Sequence, residues 1–324
     1  MMPTDYFNRM NKLIEENFSR RKFLKFHMKG LLFLAAGSSG ILIPKRGIAE
    51  PIPDIAVAKG DAAKATRAAI GLLGGMKKFV KKGSKVLIKP NMSFPNPPPM
   101  ATTTNPDVVK EIALMCNEAG ASSILIADYP LFDSDTCLKR SGILETCEYL
   151  ENTRVVGASK NTDRLFKDTE FPGARKMSRN GVFQEALKVD TLIAVPVAKS
   201  HTATGVSLSM KGMMGLVWDR AGMHTKGLSA SVVDMCSVLK ADLTVIDGTR
   251  VLSTNGPRGP GKVLKEDTII ASKDMVAADA FAVSRFKWYG RKYRPAQVQY
   301  IREAHERGLG RMDIDKLSIK EIQI

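Results

Sequence analysis

The sequence predicts an α/β protein in which helices flank a mostly parallel sheet and a ligand crevice lies at the C-terminal rim of the strands. Three observations carry that expectation. Short apolar runs rich in Val and Ile, too short for helices, alternate with longer segments of helical periodicity along residues 54–290. Such alternation is what parallel strands joined by covering helices produce. Polar and ionisable residues stand at the C-terminal ends of the runs, the rim where open α/β sheets take ligands. The composition agrees, because 324 residues with 44% hydrophobic and 25% charged side chains can bury a core, which excludes disordered and collagen-like chains.

The first element is an address. Ser19-Arg20-Arg21-Lys22-Phe23-Leu24-Lys25 precedes an uncharged apolar run from Leu31 to Ile43, and a small-residue site ends at Ala49. The run is shorter than the roughly 20 residues of a membrane span, so 1–49 reads as a twin-arginine signal peptide for export to the periplasm or an equivalent extracytoplasmic space. An uncleaved anchor and a basic surface helix are the alternatives. The remaining chain, 50–324, reads as a single α/β domain with its core in about 54–290. Ile55–Ala58 is its first strand, followed by a helical pattern over Ala62–Val80 and a strand at Lys85–Ile88. The proline-rich stretch Pro90–Pro99 fits neither element interior and is expected to be a functional loop or lid. A helix over Asp107–Ala119, a strand at Ser123–Ala127 and a helical stretch near Asp135–Tyr149 come next. Glu151–Gly181 is irregular and reads as an inserted subdomain or flap, with a helical pattern behind it at Val182–Lys188. The series ends with a strand at Thr191–Val195, a helix at Ser229–Lys240, strands at Leu243–Ile246 and Thr268–Ala271, and helices at Asp274–Phe286 and Ala296–Arg307.

Charge and cysteine content narrow the function. The chain carries +16 at neutral pH, of which the signal segment holds nine Lys and Arg against three acids, leaving +10 for the rest. That excess favours anionic ligands. Nucleic acid is not expected, since the basic residues are scattered and no recognition motif appears. Cys116, Cys137, Cys147 and Cys236 form no CxxC pair, so no local zinc or iron–sulfur scaffold exists. An oxidising compartment permits a disulfide between Cys137 and Cys147 only if the chain turns at Ser141-Gly142, because on one helix they stand about 15 Å apart; buried thiols are the default reading.

Four strands would deliver ionisable groups to one rim: Lys89, Asp128, Lys199 with His201, and Asp247. Further motifs stand around them. Lys89-Pro90-Asn91 precedes Thr102–Thr104 and Asn105-Pro106-Asp107, and Lys199-Ser200-His201 runs on to Gly205 and Met210-Lys211-Gly212-Met213-Met214-Gly215. Asp247-Gly248, Asn255-Gly256-Pro257 and the stretch Lys273-Asp274-Met275-Val276-Ala277-Ala278-Asp279-Ala280 complete the series. In this order the motifs resemble the domain of unknown function 362 family. That resemblance covers about residues 54–290 and implies a site built from these positions. Family members often carry a ferredoxin-like module; this chain lacks its pattern, so no iron–sulfur cluster is expected. The family's usual Lys-Asn reads Lys211-Gly212 here, which removes an amide.

The residues then assign roles. Lys199, His201 and Lys211 are the catalytic candidates, and Lys89, Asn91, Thr104, Asp128, Asp247, Gly256, Arg258 and Asp279 the ligand-binding ones. Lysines neutralise and orient a small carboxylate or phosphate, while His201, with an ordinary pKa near neutrality, acts as acid or base. Asp247 or Asp279 orients a histidine or a cation. Asp274 caps the helix it precedes. The spacing of His201, Lys211 and His224 is similar to that of lactate racemase-like nickel-pincer enzymes, in which histidines serve as acid, base or metal ligand and a lysine tethers the cofactor; a simpler metal site with His201 and His224, or Asp247 or Asp279, as ligands is a second reading, and histidines that serve structure or substrate without metal are a third. The expected activity is proton transfer next to a carbonyl. The rival is a non-catalytic binding or redox-accessory protein for an anionic cofactor or partner, with the twin-arginine translocase as partner during export and membrane contact only through the signal segment.

Overall fold

The computed structural model describes residues 51–324; the signal peptide expected at 1–49 lies outside the described residues. The first half of the chain builds β1 (Ile55–Lys59), α1 (Ala62–Leu72), β2 (Lys85–Pro90), α2 (Pro106–Glu118), β3 (Ser123–Asp128), the short helices α3 (Ser134–Arg140) and α4 (Ile143–Cys147), and β4 (Thr153–Gly157). A two-stranded ribbon follows, β5 (Phe166–Glu170) and β6 (Arg179–Phe183). The second half builds β7 (Thr191–Val195), β8 (Val197–His201), β9 (Gly205–Ser207), α5 (Ser209–Gly212), α6 (Arg220–Met235), β10 (Leu243–Leu252), β11 (Val263–Ser272), α7 (Met275–Arg285), α8 (Gln299–Glu306) and β12 (Ile319–Gln323).

Strands stand in the order β12-β1-β11-β10-β7-β2-β3-β4, with β8 beside β10 and β9 beside β8. Only β11 and β9 run against the rest, so the sheet is mostly parallel. Alternation along each strand sends side chains to two cores. Val86, Ile88, Ile124, Ile126, Ile193 and Val195 meet α1 and α2 on one face. Leu87, Leu125, Leu192, Ala194, Ile246 and Ile270 meet α6, α7 and α8 on the other. Both faces are therefore covered, as near-continuous apolar strands require.

Several boundaries differ from the sequence expectation. The helix expected over Ala62–Val80 stops at Leu72 because Gly74 and Gly75 adopt positive φ. The stretch Asp135–Tyr149 is two helices, broken where Gly142 takes φ 73°. Val182–Lys188 is not an α-helix: Val182 pairs with Lys167 in the ribbon, and only a single 3-10 turn follows. Part of the irregular region Glu151–Gly181 joins the main sheet as β4. The helix expected at Ser229–Lys240 begins earlier, at Arg220, and carries a non-helical residue, Gly227, at φ 115° and ψ 96°. The last helical pattern is a 3-10 turn, Pro295–Gln297, followed by α8. Asp274 caps α7, accepting from Val276 N at 2.8 Å and Ala277 N at 3.1 Å.

The chain does turn between Cys137 and Cys147, yet all four cysteines are buried free thiols. Burial pushes the thiols of Cys116 and Cys147 up to about 12 and that of Cys137 to about 11, which removes a thiolate nucleophile from consideration. Among the described residues no helix is long and apolar enough to cross a membrane.

Candidate functional site

The site lies where the sheet forks. β10 pairs with β7 through Leu243 and Thr244, then with β8 from Asp247 onward, and Pro196 separates those two partners. Regular ladder bonds end there, and side chains replace them. Thr104 Oγ1 donates to Val195 O at 2.7 Å and accepts from Asn91 N at 2.9 Å. Asn91 Oδ1 accepts from Val197 N at 3.1 Å. These bonds fix the end of β2 against the start of β8, which answers the requirement that buried backbone groups be paired.

Beneath the fork, Lys89 Nζ and Asp128 Oδ1 form a buried ion pair at 3.0 Å. Lys89 also donates to Pro90 O. Asp128 accepts from Met92 N at 2.7 Å, Ser93 Oγ at 3.1 Å and Tyr129 N at 2.9 Å, so it shapes two loops at once. Desolvation lowers the Lys89 pKa against the opposing pull of Asp128. Gly215 packs directly on this pair: a Cβ there would collide with Asp128 Oδ1 and Lys89 Cε.

Above the pair opens a crevice of about 590 Å³. Six basic side chains line it, Lys199, His201, Lys211, Arg220, His224 and Arg258, and no Asp or Glu does. Lys199 Nζ donates to Thr102 O at 2.7 Å, and burial lowers its pKa to about 7 despite the Asp128 charge. Among the described residues Lys211 Nζ has only the thioether of Met214 at 3.5 Å, and desolvation, with help from Arg220, lowers its pKa to about 8. Its side chain is 8% exposed, so a nearly buried amine here faces a weak acceptor. Arg220 is clamped by Tyr129 O at 2.6 Å and Pro130 O at 3.2 Å, with its guanidinium 4.1 Å from the Tyr129 ring centroid. His201 Nδ1 accepts from Ala203 N at 3.1 Å, which leaves its proton on Nε2.

The near-neutral pKa expected for His201 is corrected. Burial first, then Lys211, His224 and Lys199, lower it to about 3, so the imidazole is neutral at physiological pH with an Nε2–H free to donate to a ligand. Around His201 and His224, expected as metal ligands, no group of three His, Cys, Asp or Glu is placed to hold an ion among the described residues, and four Lys and Arg side chains share the same walls.

Of the binding candidates, Asn91 and Arg258 line the crevice, while Gly256 sits just behind it, donating to Ser200 Oγ at 2.9 Å. Lys89, Asp128 and Thr104 do not line the crevice; they stand behind Gly215 and Asn91, which do. Asp247 and Asp279 are not brought to the crevice. Asp247 accepts from Asn105 N at 2.7 Å and from Thr249 N and Oγ1 at 2.9 and 2.7 Å; burial raises its pKa. Asp279 accepts from Ser209 N at 2.8 Å, Met210 N at 3.1 Å and Ser209 Oγ, anchoring the start of α5, and burial raises its pKa to about 7.

Sequence reasoning missed Arg220. The signal was present: Asp219 caps a helix on which Arg220 and His224 stand four residues apart and so share a face. Gly222 and Gly227 interrupt the pattern and hid the helix start.

A family model described as "Domain of unknown function (DUF362)" matches residues 86–284, a span that holds every side chain of the crevice. The thylakoid-associated protein sll1697 of Synechocystis sp. is 29% identical over 221 residues, an alignment covering 64% of this chain and 64% of that protein. The chain thus spans a little under two thirds of that relative's length. Among solved structures, the lactate racemase apoprotein from Thermoanaerobacterium thermosaccharolyticum is similar with a TM-score of 0.42 and 12% identity, over 68% of this chain and 54% of that one. A protein from Thermotoga maritima is similar with a TM-score of 0.42 and 10% identity, over 76% of this chain and 60% of that one.

Proposed function

The chain belongs to the DUF362 family, and from that premise we propose that its crevice binds a small carboxylate- or phosphate-bearing molecule and moves a proton on it. The observation that supports this reading is the one-sided lining, six basic side chains with no carboxylate among them. Cations gathered in a partly buried cleft repel one another and lose hydration, and an anion relieves both.

In this reading Lys199 and Arg220 hold the anionic group. Lys211, whose Nζ meets only the Met214 sulfur, takes the proton from the carbon beside a carbonyl. The electron pair moves onto the carbonyl oxygen, where His201 Nε2–H donates a hydrogen bond, and return of the proton from Lys211 completes the cycle. His201 is the donor because its neutral form persists to low pH; Lys211 is the base because its pKa of about 8 leaves free amine near neutrality.

The test is solvent deuterium incorporation, followed by NMR, at the carbon beside the carbonyl (C2 of 2-hydroxy and 2-amino carboxylates, C3 of 2-oxo carboxylates) across a panel of all three, with binding measured by calorimetry on the same panel. The expected result is exchange by the wild type that drops roughly a hundredfold or more in Lys211→Ala. Binding without exchange across the panel would overturn the catalytic part and leave an anion-binding protein. No binding at all would overturn both.

A further inference from the structure

The mouth of the crevice differs in kind from its floor. Lys199 Nζ lies 5.6 Å from the Phe94 ring centroid, Phe94 packs against Phe132 at 6.0 Å with the rings tilted by 52°, and the Arg258 guanidinium lies 4.8 Å from the Phe132 centroid. A file of cation, ring, ring and cation therefore runs from floor to rim. Leu131 and Phe132 are 57% and 41% exposed. A single exposed apolar side chain is ordinary. These two are adjacent, Leu131 lines the crevice, and Phe132 stands between Phe94, also a lining residue, and Arg258.

The loops that carry them are tied down. Leu131 N donates to Ser93 O at 3.1 Å, Tyr129 N to Gly215 O at 2.8 Å, and Asn96 Nδ2 to Arg258 O at 3.1 Å. Arg258 makes no ion pair among the described residues, and its guanidinium is set over the Phe132 ring. A fixed aromatic rim above a cationic floor is complementary to a molecule with a charged head and a flat apolar body.

We infer that the ligand of this crevice is an aromatic anion: a carboxylate or phosphate seated near Lys199, Lys211 and Arg220, joined by a short linkage to a planar ring lying against Phe94 and Phe132. This rests on the anion reading above and adds the chemical class of the rest of the molecule. A purely aliphatic anion would leave Phe132 and Arg258 uncovered.

Calorimetry with two matched pairs, inorganic phosphate against phenyl phosphate and acetate against benzoate, tests it on wild type and Phe132→Ala; the exposure of Phe132 makes that variant safe for folding. The aromatic member of the better-binding pair is expected to bind about tenfold tighter in the wild type. In Phe132→Ala that advantage falls to about twofold or less, while the affinity for the simple anion stays. Equal affinities within both pairs, or a Phe132→Ala loss that is the same for both members, overturns the inference and leaves the anion reading standing. Failure of all four probes to bind overturns the two together, and binding of neutral phenol as tightly as phenyl phosphate removes the charged head from the assignment.

Discussion

Lys211 shows how one residue can be unfavourable for the fold and needed for the site. Its amine is almost fully buried with a thioether as sole partner among the described residues, an arrangement that burial alone does not reward. Lys211→Met keeps length and shape while removing the charge. It is expected to raise the melting temperature at pH 7, by roughly 2–4 °C for each kcal/mol regained, and to weaken acetate or phosphate binding severalfold; calorimetry and thermal denaturation check the two halves. Lys199, His201 and Lys211 were legible because they follow a strand or sit in a motif of small residues. Asp247 and Asp279 were legible as important but not in their role. A carboxylate that holds backbone amides looks in sequence like one that faces a ligand, and only their hydrogen bonds separate the cases. The pKa of His201 was illegible because its main cause, burial, and the nearness of Lys211 and His224 are set by the fold; only Lys199 stands beside it in the sequence.

At the level of elements, strands with both faces buried were easy to read and those with one face exposed were not. β2, β3 and β7 are continuous apolar runs. β5 and β12 alternate with charge, as in Phe166-Lys167-Asp168-Thr169-Glu170; the first lies in the stretch that reads as irregular, and the second gives no strand signal. α6 is the element on which the site most depends, because its first turns carry Arg220 and His224 before the break at Gly227. Its start is fixed twice: Asp219 Oδ1 accepts from Gly222 N at 2.7 Å, and Asp219 N donates to Asn180 Oδ1 at 2.9 Å. Asp219→Ala is expected to lower stability by about 1 kcal/mol and also to loosen Arg220 from the Tyr129 carbonyl. Denaturant unfolding and acetate binding on this variant should both fall; a loss of stability with unchanged affinity would mean that Arg220 is held by its own carbonyl partners alone.

For the whole molecule, the buried charges of the fork set an opposition between stability and binding. Lys199 and Lys211 have folded-state pKa values of about 7 and 8, below the ordinary 10.5. Depressed values mean that their contribution to stability is present above 10.5 and is lost as pH falls through 8 and 7, because the unfolded chain binds the protons more tightly. Anion affinity has the opposite sign, being greatest with both amines charged and falling as pH rises through the same window. Acetate and benzoate keep constant charge between about pH 6 and 9, so their affinities measured across that range should fall while the stability difference between wild type and Lys211→Met moves in favour of wild type. A flat affinity profile would show that neither lysine meets the ligand.

The pairing of β1 carries one more consequence. Both of its neighbours, β11 and β12, lie near the other end of the chain, with Ile55 beside Ser272 and Ile319. During synthesis, therefore, the first strand of the domain has no partner until β11, more than 200 residues later, has been made. Closing loops of that length is slow, so the half-built sheet carries a sticky open edge until β11 emerges from the ribosome.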